Sequence, residues 1–469
     1  MRRIDLGCEG VFDESMLERQ GAFDPEAMKV AVDIVATVRE KGDAALREYS
    51  MKFDGVELNE LEVTAEEIED ALRSVDEDFL RSVEYAADNI ADFHKRQLQQ
   101  SWFTTRADGA ITGQKVTPLE RVGIYVPGGR AQYPSTVLMN AMPAGVAGVG
   151  EIVMCTPPGK DGKVNPYTLA AASVAGVDRV FKVGGAQAIA AMAYGTESIP
   201  AVNKVTGPGN AFVAAAKKAV SGDCGIDMIA GPSEVCVMAD DTAIPEFVAI
   251  DLMAQAEHDP KATCYLICTE PEMIPEIEEA IDELLEQSER AEITRASLEH
   301  GLIVTCSSLT QAFNAVNIIA PEHLEIYMSE PWELLSAVHN AGAIFLGPWT
   351  PESVGDYVAG PNHTLPTGGT AAFSSPLSVD DFVKKSSVLS YSFDALEQDA
   401  DAIMTLASRE SLWAHGRAVD LRLQFMQYAL ESLAEGGEEC GGCGDPDCEC
   451  GHGDDPNHVC ECGHDHNAK

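Results

Sequence analysis

The sequence contains no apolar run long enough to cross a bilayer. Its longest uncharged stretch, residues 131–150, holds Gln132, Asn140, two prolines and three glycines. A spanning helix needs about 20 predominantly apolar residues, so this stretch reads as loops and a short helix. Basic residues are scarce: 32 Lys and Arg stand against 76 Asp and Glu, for a formal net charge of −44. A surface of that sign repels phosphate backbones and anionic lipid, so neither nucleic acid nor a membrane is an expected partner. The amino terminus, Met1-Arg-Arg-Ile-Asp-Leu-Gly, has basic residues but no apolar segment behind them. A secretory signal is therefore not expected, and the reading is a cytoplasmic protein. No solenoid-period repeat is found, and neither G-x-G-x-x-G nor a P-loop occurs.

What is present is an ordinary globular composition. The chain has 469 residues, 45% hydrophobic and 23% charged, with room for about three domains at roughly 100–200 residues each. Cores of that size form without disulfides. The 13 cysteines fall into two groups. Cys8, Cys155, Cys224, Cys236, Cys264, Cys268 and Cys306 are scattered, several in apolar strand-like runs, and read as reduced buried thiols. The other six crowd the last 30 residues.

Residues 24–100 place apolar side chains at helical spacing (Met28, Ile34, Val35, Val38, then Ile68, Leu72, Val83, Ile90) and read as a small helical subdomain. Residues 116–238 alternate strand-like runs at 121–127, 151–155 and 179–183 with Ala/Gly-rich helical ones. That alternation indicates parallel βαβ units and a Rossmann-like domain. Residues 239–384, with 1–23 and 101–115, form a second such region, with a helix over 246–258 and strands over 262–268, 302–306, 323–327 and 342–346. Residues 385–430 read as a C-terminal helical segment and 431–469 as a tail. The expected fold is α/β: two Rossmann-like parallel-sheet domains, small helical subdomains and a disordered tail of metal-binding type.

Three Gly-rich turns follow strands, at 127–129, 184–187 and 207–210. Each can bring backbone N–H groups to an anionic ligand at a helix start, and each is also compatible with a plain tight turn. Three of them within one βαβ region favour a nucleotide site.

Gln255-Ala-Glu-His258 ends a helical run. Residues i and i+3 share a face, and an oxygen with an imidazole suits a first-row divalent ion; a capping His before Asp259-Pro260 is the alternative. Pro321-Glu322-His323 sets two titratable groups side by side, able to activate water and take a proton, or to sit on a surface loop. Gly355-Asp356-Tyr357 and residues 360–366, with His363, read as a long loop on the carboxyl edge of a parallel sheet, where such enzymes put chemistry. Glu410 and His415 fall on a C-terminal helix, where His415 taken alone reads as a helix-face residue rather than a ligand. Spacing alone does not bring these pieces together.

These segments resemble histidinol dehydrogenases. The likeness runs from about residue 20 to about residue 430. It is carried, in order, by Val122-Gly-Ile-Tyr-Val-Pro-Gly-Gly, Val183-Gly-Gly-Ala-Gln-Ala-Ile-Ala-Ala, Gly207-Pro-Gly-Asn-Ala-Phe-Val, Ile226-Asp-Met-Ile-Ala-Gly-Pro-Ser-Glu, Ala254-Gln-Ala-Glu-His, Pro321-Glu-His-Leu and Gly355-Asp-Tyr. The resemblance implies a zinc-dependent, NAD-linked oxidation of L-histidinol to L-histidine, consuming two NAD+, at the end of histidine biosynthesis. It implies one Zn2+ per subunit on Gln255, His258, Asp356 and His415, and an acid–base pair on Glu322 and His323. Substrate contacts fall on Ser233, His363 and Glu410, besides the ligands and His323. Nucleotide contacts fall on Tyr125, Gln187 and Asn210. It also implies a homodimer in which the partner supplies Glu410 and His415. Two other readings stand beside it, a metal-storage protein on a degenerate scaffold and a dehydrogenase of another small amino alcohol. A degenerate scaffold would have no reason to hold Gln255, His258, Glu322, His323, Asp356 and His415 together.

The tail departs from the family pattern. It holds Cys440, Cys443, Cys448, Cys450, His452, His458, Cys460, Cys462, His464 and His466, together with ten acidic residues after Glu431. Ten soft or borderline ligands suffice for about two four-coordinate sites. Almost nothing apolar accompanies them, so the expectation is extra metal ions bound on a segment that orders only partly around them.

Overall fold

The computed structural model describes residues 1–19, 25–128 and 132–435. Gly129 and the tail ligands from Cys440 to His466 lie outside the described residues. The chain divides into two compact units: residues 1–101 with 115–386, and residues 102–114 with the segment from 387 onward.

The first unit carries two parallel sheets. In one, five strands lie in the order Arg179–Phe181, Glu151–Cys155, Arg121–Tyr125, Lys204–Thr206 and Gly225–Ile226. Counted along the chain this is 3-2-1-4-5, so the order reverses beside the central strand Arg121–Tyr125. In the other, six strands lie in the order Arg2–Asp5, Leu302–Thr305, Thr263–Cys268, Glu234–Ala239, His323–Tyr327 and Ala343–Leu346. Without its amino-terminal edge strand this sheet has the same 3-2-1-4-5 order. The fold is thus α/β with parallel sheets and covering helices.

Strand alternation sorts side chains onto opposite faces. Tyr125, Val153 and Phe181 join one core with Ile34, Val38 and Leu46 of the helices Pro25–Lys41 and Asp43–Tyr49. Ile124, Met154 and Val180 join another with Val83, Ala86 and Ile90 of the helix Glu77–Lys95. The helices of residues 25–95 therefore share their cores with the five-stranded sheet. In the six-stranded sheet, Val235, Leu266 and Tyr327 face the helix Pro245–Ala256, while Cys236, Leu324 and Ile326 face the helix Leu309–Ile319. Strands covered on both sides read as continuous apolar runs, and all six residues of Glu234–Ala239 are buried. Helix starts follow local chemistry. Asn165 and Asn210 accept hydrogen bonds from N–H groups two and three residues on, and Pro134, Pro166 and Pro245 open their helices.

The second unit pairs Trp102–Thr105 antiparallel with residues 111–114 and contains the helices Phe393–Arg409 and Trp413–Glu435. Leu412 N–H donates to the Ala407 carbonyl at 2.8 Å, closing the turn between the helices with Ser411 at φ 60°. Within this unit Arg106 bonds Asp399 at 2.8 Å. Trp413 (79% exposed), Phe425 (70% exposed) and Tyr428 leave a large apolar surface on the last helix.

Of the seven scattered cysteines, six are buried and Cys8 is exposed. Among the described residues no helix is long and apolar enough to cross a membrane.

Candidate active site

The three Gly-rich turns gather at the carboxyl edge of the five-stranded sheet, where the strand order reverses. Tyr125 ends the central strand, and its hydroxyl oxygen accepts from Gly185 N–H at 3.0 Å. Burial pushes the Tyr125 hydroxyl up to about 12, so it stays protonated and neutral. Gly207 has φ +112°, and a Cβ there would lie 2.1 Å from the Tyr125 carbonyl oxygen. Only glycine fits that approach. A Cβ on Gly128 or Gly184 would meet Pro157 at 2.9 or 2.6 Å. Tyr125 and Pro157 thus tie the three turns together. Gln187 is buried in the helix Gly185–Tyr194, and Asn210 caps the helix Ala211–Val220.

Two residues that spacing did not single out hold the third turn. Asp227 Oδ2 accepts from Gly207 N–H at 2.8 Å, Lys217 Nζ donates to the Gly207 carbonyl at 3.0 Å, and Lys217 and Asp227 form a buried ion pair. A Lys inside an Ala-rich helix, facing the core by its 3.6-residue period, is the signal that could have found the pair.

The second cluster forms at the amino edge of the six-stranded sheet. Glu322 immediately precedes the strand His323–Tyr327, which His323 begins, and both are buried. Glu322 Oε2 accepts from Glu234 N–H at 2.9 Å. His323 Nδ1 lies 3.0 Å from the Glu234 carbonyl oxygen, and its Nε2 lies 3.8 Å from Asp356 Oδ1. Asp356 therefore does not stay on the carboxyl edge, as a loop after Leu346 would suggest. The chain leaves Ala343–Leu346, forms the short helix Glu352–Tyr357 and returns to the amino edge. Gly355 lets that helix close on the sheet, since a Cβ there would meet the Phe345 ring at 2.6 Å. His363 follows, its Nδ1 3.1 Å from the Asp356 carbonyl oxygen.

The helix that carries Gln255 ends at Ala256, and His258 stands in the turn beyond it. Gln255 is buried, and its Oε1 has no hydrogen-bond partner; the same is true of His323 Nε2. His258 is exposed, and a cavity of about 450 Å³ opens beside it, lined among others by Tyr133, Leu138, Glu257, Arg290 and Tyr357. His258, Glu352 and Asp356 each offer a ligand atom, all within 4.8 Å of one another. Glu352 was not picked out by motif; its spacing of four from Asp356 was the available signal. Ser233 precedes the strand Glu234–Ala239 and is half-buried. Glu410 caps the end of Phe393–Arg409, and His415 lies exposed on Trp413–Glu435; both belong to the second unit.

Carboxyls crowd this edge. Burial pushes Glu322 up to about 8, with the His323 charge opposing, and pushes Glu352 and Glu234 up to about 7. Burial pulls His323 down, but the carboxylates of Glu352, Glu322 and Asp356 outweigh it and hold His323 well above the ordinary imidazole value. Asp356 is held low: burial works against it, and His323 and His363 more than offset that. Behind them Glu325, on the same strand face as His323, is pushed up by burial and by Asp251, and Tyr327 donates to Asp251.

The family model described as histidinol dehydrogenase matches residues 17–423. The histidinol dehydrogenase of Syntrophotalea carbinolica is 53% identical over 409 residues, covering 86% of this chain and 95% of that protein. That of Bacillus subtilis is 51% identical over 398 residues, covering 85% and 93%. The crystal structure of histidinol dehydrogenase from Elizabethkingia anophelis superposes with a TM-score of 0.85 at 34% identity, covering 91% of this chain and 99% of that one. With two parallel sheets, buried Glu322 and His323, and matches that span nearly the whole of these proteins, the chain belongs to the histidinol dehydrogenase family, oxidoreductases of histidine biosynthesis.

Proposed function

We propose that this chain oxidises L-histidinol to L-histidine in two successive NAD-dependent steps through a bound aldehyde. The observation that carries the reading is the buried Glu322–His323 pair, with the unpartnered His323 Nε2 3.8 Å from Asp356.

The donor set suits a metal. An unpartnered amide oxygen, an imidazole and a carboxylate fit a first-row divalent ion such as zinc. Gln255, His258 and Asp356 would hold one Zn2+ per subunit, with the partner subunit's His415 as the fourth ligand. When bound, the ion would orient the amino alcohol, favour its deprotonated form and offset the carboxylate field on His323. NAD+ would accept the hydride, its nucleotide held by Tyr125, Gln187 and Asn210 at the switch point.

The chain's own residues then move protons. His323 Nδ1 is engaged by a carbonyl, which leaves Nε2 to accept the substrate hydroxyl proton as hydride departs. Glu322 takes a proton from the water that adds to the aldehyde while the protonated His323 returns its proton to the carbonyl oxygen, which gives the diol and frees Nε2. His323 accepts again as the resulting diol loses the second hydride. With the ionisation of the product acid, the sum is two NADH and three protons per histidinol. Burial keeps bulk water from the aldehyde between steps. His363, its Nδ1 on the Asp356 carbonyl, keeps Nε2 for the substrate; Ser233 and the partner subunit's Glu410 would add a hydroxyl and a carboxylate to the substrate's contacts.

The exposed apolar surface on Trp413–Glu435 supports a homodimer with shared sites. The Cys/His-rich tail is proposed, from its composition, to bind additional metal ions.

The test is NADH formed per L-histidinol consumed, with excess NAD+ and zinc. A ratio of two is expected. A ratio of one with aldehyde accumulating would remove Glu322 from its role, and no NADH would overturn the reading.

A further inference from the structure

Asp54 ends the π-helical turn Ser50–Asp54, which follows the helix Asp43–Tyr49. Val56 and Leu58, just beyond it, share a core with Tyr125 and Val183. A Cβ on Gly162 would touch both, at 3.5 and 3.7 Å. This segment therefore lies against the loop that leaves the strand Glu151–Cys155 at the carboxyl edge of the five-stranded sheet. The Asp54 charge acts on the Tyr125 hydroxyl, whose oxygen accepts from Gly185 N–H. The carboxyl thus stands by the Gly-rich turns.

Asp54 is half-buried, and its Oδ2 is buried without a hydrogen-bond partner. Burial acts on the carboxyl with no donor or cation offsetting it. Such a group costs stability unless something outside the chain completes it. No hydrogen bond fixes Oδ2, so a turn about Cβ–Cγ presents either oxygen to a ligand. The occupant must bring donors without negative charge, which rules out a phosphate. A ribose diol brings two neutral O–H donors to one carboxylate. The strand after the first Gly-rich turn ends in Cys155-Thr-Pro-Pro, with no acid for that task.

The strand faces tell the two riboses of a dinucleotide apart. The cavity beside His258 is lined by Val83, Ala86 and Leu138, which pack in the core on the Ile124 face. A nicotinamide that meets substrate there lies on that side. Val56 and Leu58 pack on the opposite, Tyr125 face, which leaves Asp54 to the adenosine half.

We propose that Asp54 accepts hydrogen bonds from the 2′- and 3′-hydroxyls of the adenosine ribose of NAD+ and so sets the preference for NAD+ over NADP+. A 2′-phosphate would remove one donor and set negative charge against the carboxylate. The inference rests on the NAD reading above and deepens it.

The test is nucleotide binding to the full chain, wild type and Asp54→Asn, followed by NADH and NADPH fluorescence. The wild type is expected to bind NADH more tightly than NADPH. In Asp54→Asn the NADH affinity falls about tenfold while that for NADPH holds or rises, so the preference shrinks at least as far. With histidinol, KM for NAD+ rises and kcat changes little. An unchanged NADH-to-NADPH ratio would overturn the proposal, because a merely structural carboxyl moves both affinities alike. Equal affinities in the wild type would overturn it too. Competition by fragments places the contact: AMP weakens in the variant and nicotinamide mononucleotide does not, and the reverse would overturn the adenosine assignment. A wild type that binds neither dinucleotide would overturn the NAD reading as well, whereas NADH binding without turnover of histidinol bears on the reaction alone.

Discussion

The Nδ1 of His323 lies 3.0 Å from the carbonyl oxygen of Glu234. A carbonyl only accepts, so the Nδ1 carries a proton and the lone pair of the neutral ring stands on Nε2. One backbone contact thus selects the atom that serves as base in both oxidations. Glu322, held by Glu234 N–H, is left for hydration of the aldehyde. His323→Asn should therefore slow alcohol and aldehyde oxidation alike, by about 10²–10⁴-fold. Glu322→Gln should slow aldehyde oxidation far more than alcohol oxidation. Single-turnover NADH formation from each substrate separates the two, and equal losses in Glu322→Gln would contradict the assignment.

The pH profile follows from burial. Glu322 is pushed up to about 8, and as a base it works ionised. Aldehyde oxidation should fall about tenfold per pH unit below roughly 8 and level off above it. The Glu322→Gln variant should lose that limb of its profile while keeping any set by His323.

Asp227 holds the N–H of Gly207 and Lys217 holds its carbonyl. Lys217→Met leaves the Asp227 carboxylate buried without its cation, a loss of about 3–5 kcal/mol by urea unfolding. Pairing it with Asp227→Asn should recover part of that stability, because no charge is then stranded. The turn would still lack its original ties, so KM for NAD+ should stay raised while kcat changes little. An unaltered KM in the double variant would separate this pair from the nucleotide site.

Asp54, whose charge also acts on Tyr125, offers a test read in stability. Burial pushes its carboxyl up to about 6, and its Oδ2 has no hydrogen-bond partner. The folded chain keeps this proton to a higher pH than the unfolded chain, which releases it near 3.8. Stability from this group is therefore intact below about 4 and is lost as pH rises through about 6. Asp54→Asn should gain about 1–2 kcal/mol at pH 8, after discounting for its partial exposure, and nothing at pH 3. Urea melts at the two values decide it.

Motifs confined to neighbouring residues were readable before any fold was known. Glu322 with His323, and Gln255 with His258, are such pairs, and alternating strand and helix patterns announced parallel sheets. What lay beyond reach depended on where the chain returns. Asp356 and His363 look like a carboxyl-edge loop until Gly355 packs on Phe345 and carries them back toward His323. Glu352 has no motif of its own; a buried carboxylate is unusual only once its missing partner is seen. Lys217 sits on the core side of an Ala-rich helix, but its partner Asp227 is met only across the turn.

The tail makes the last prediction. Its ten Cys and His ligands lie beyond residue 423, where the family match ends, so metal held there is additional to any ion near His258. Deleting residues 436–469 should lower bound zinc per subunit, measured by elemental analysis, while activity with excess zinc persists. Limiting zinc is the more searching condition. A tail that supplies the site should delay inactivation of the intact chain by a chelator, because thiolate-held ions exchange toward the emptied site. A tail that only competes for zinc should hasten it. Unchanged metal content on deletion would leave the tail an acidic extension with incidental thiols.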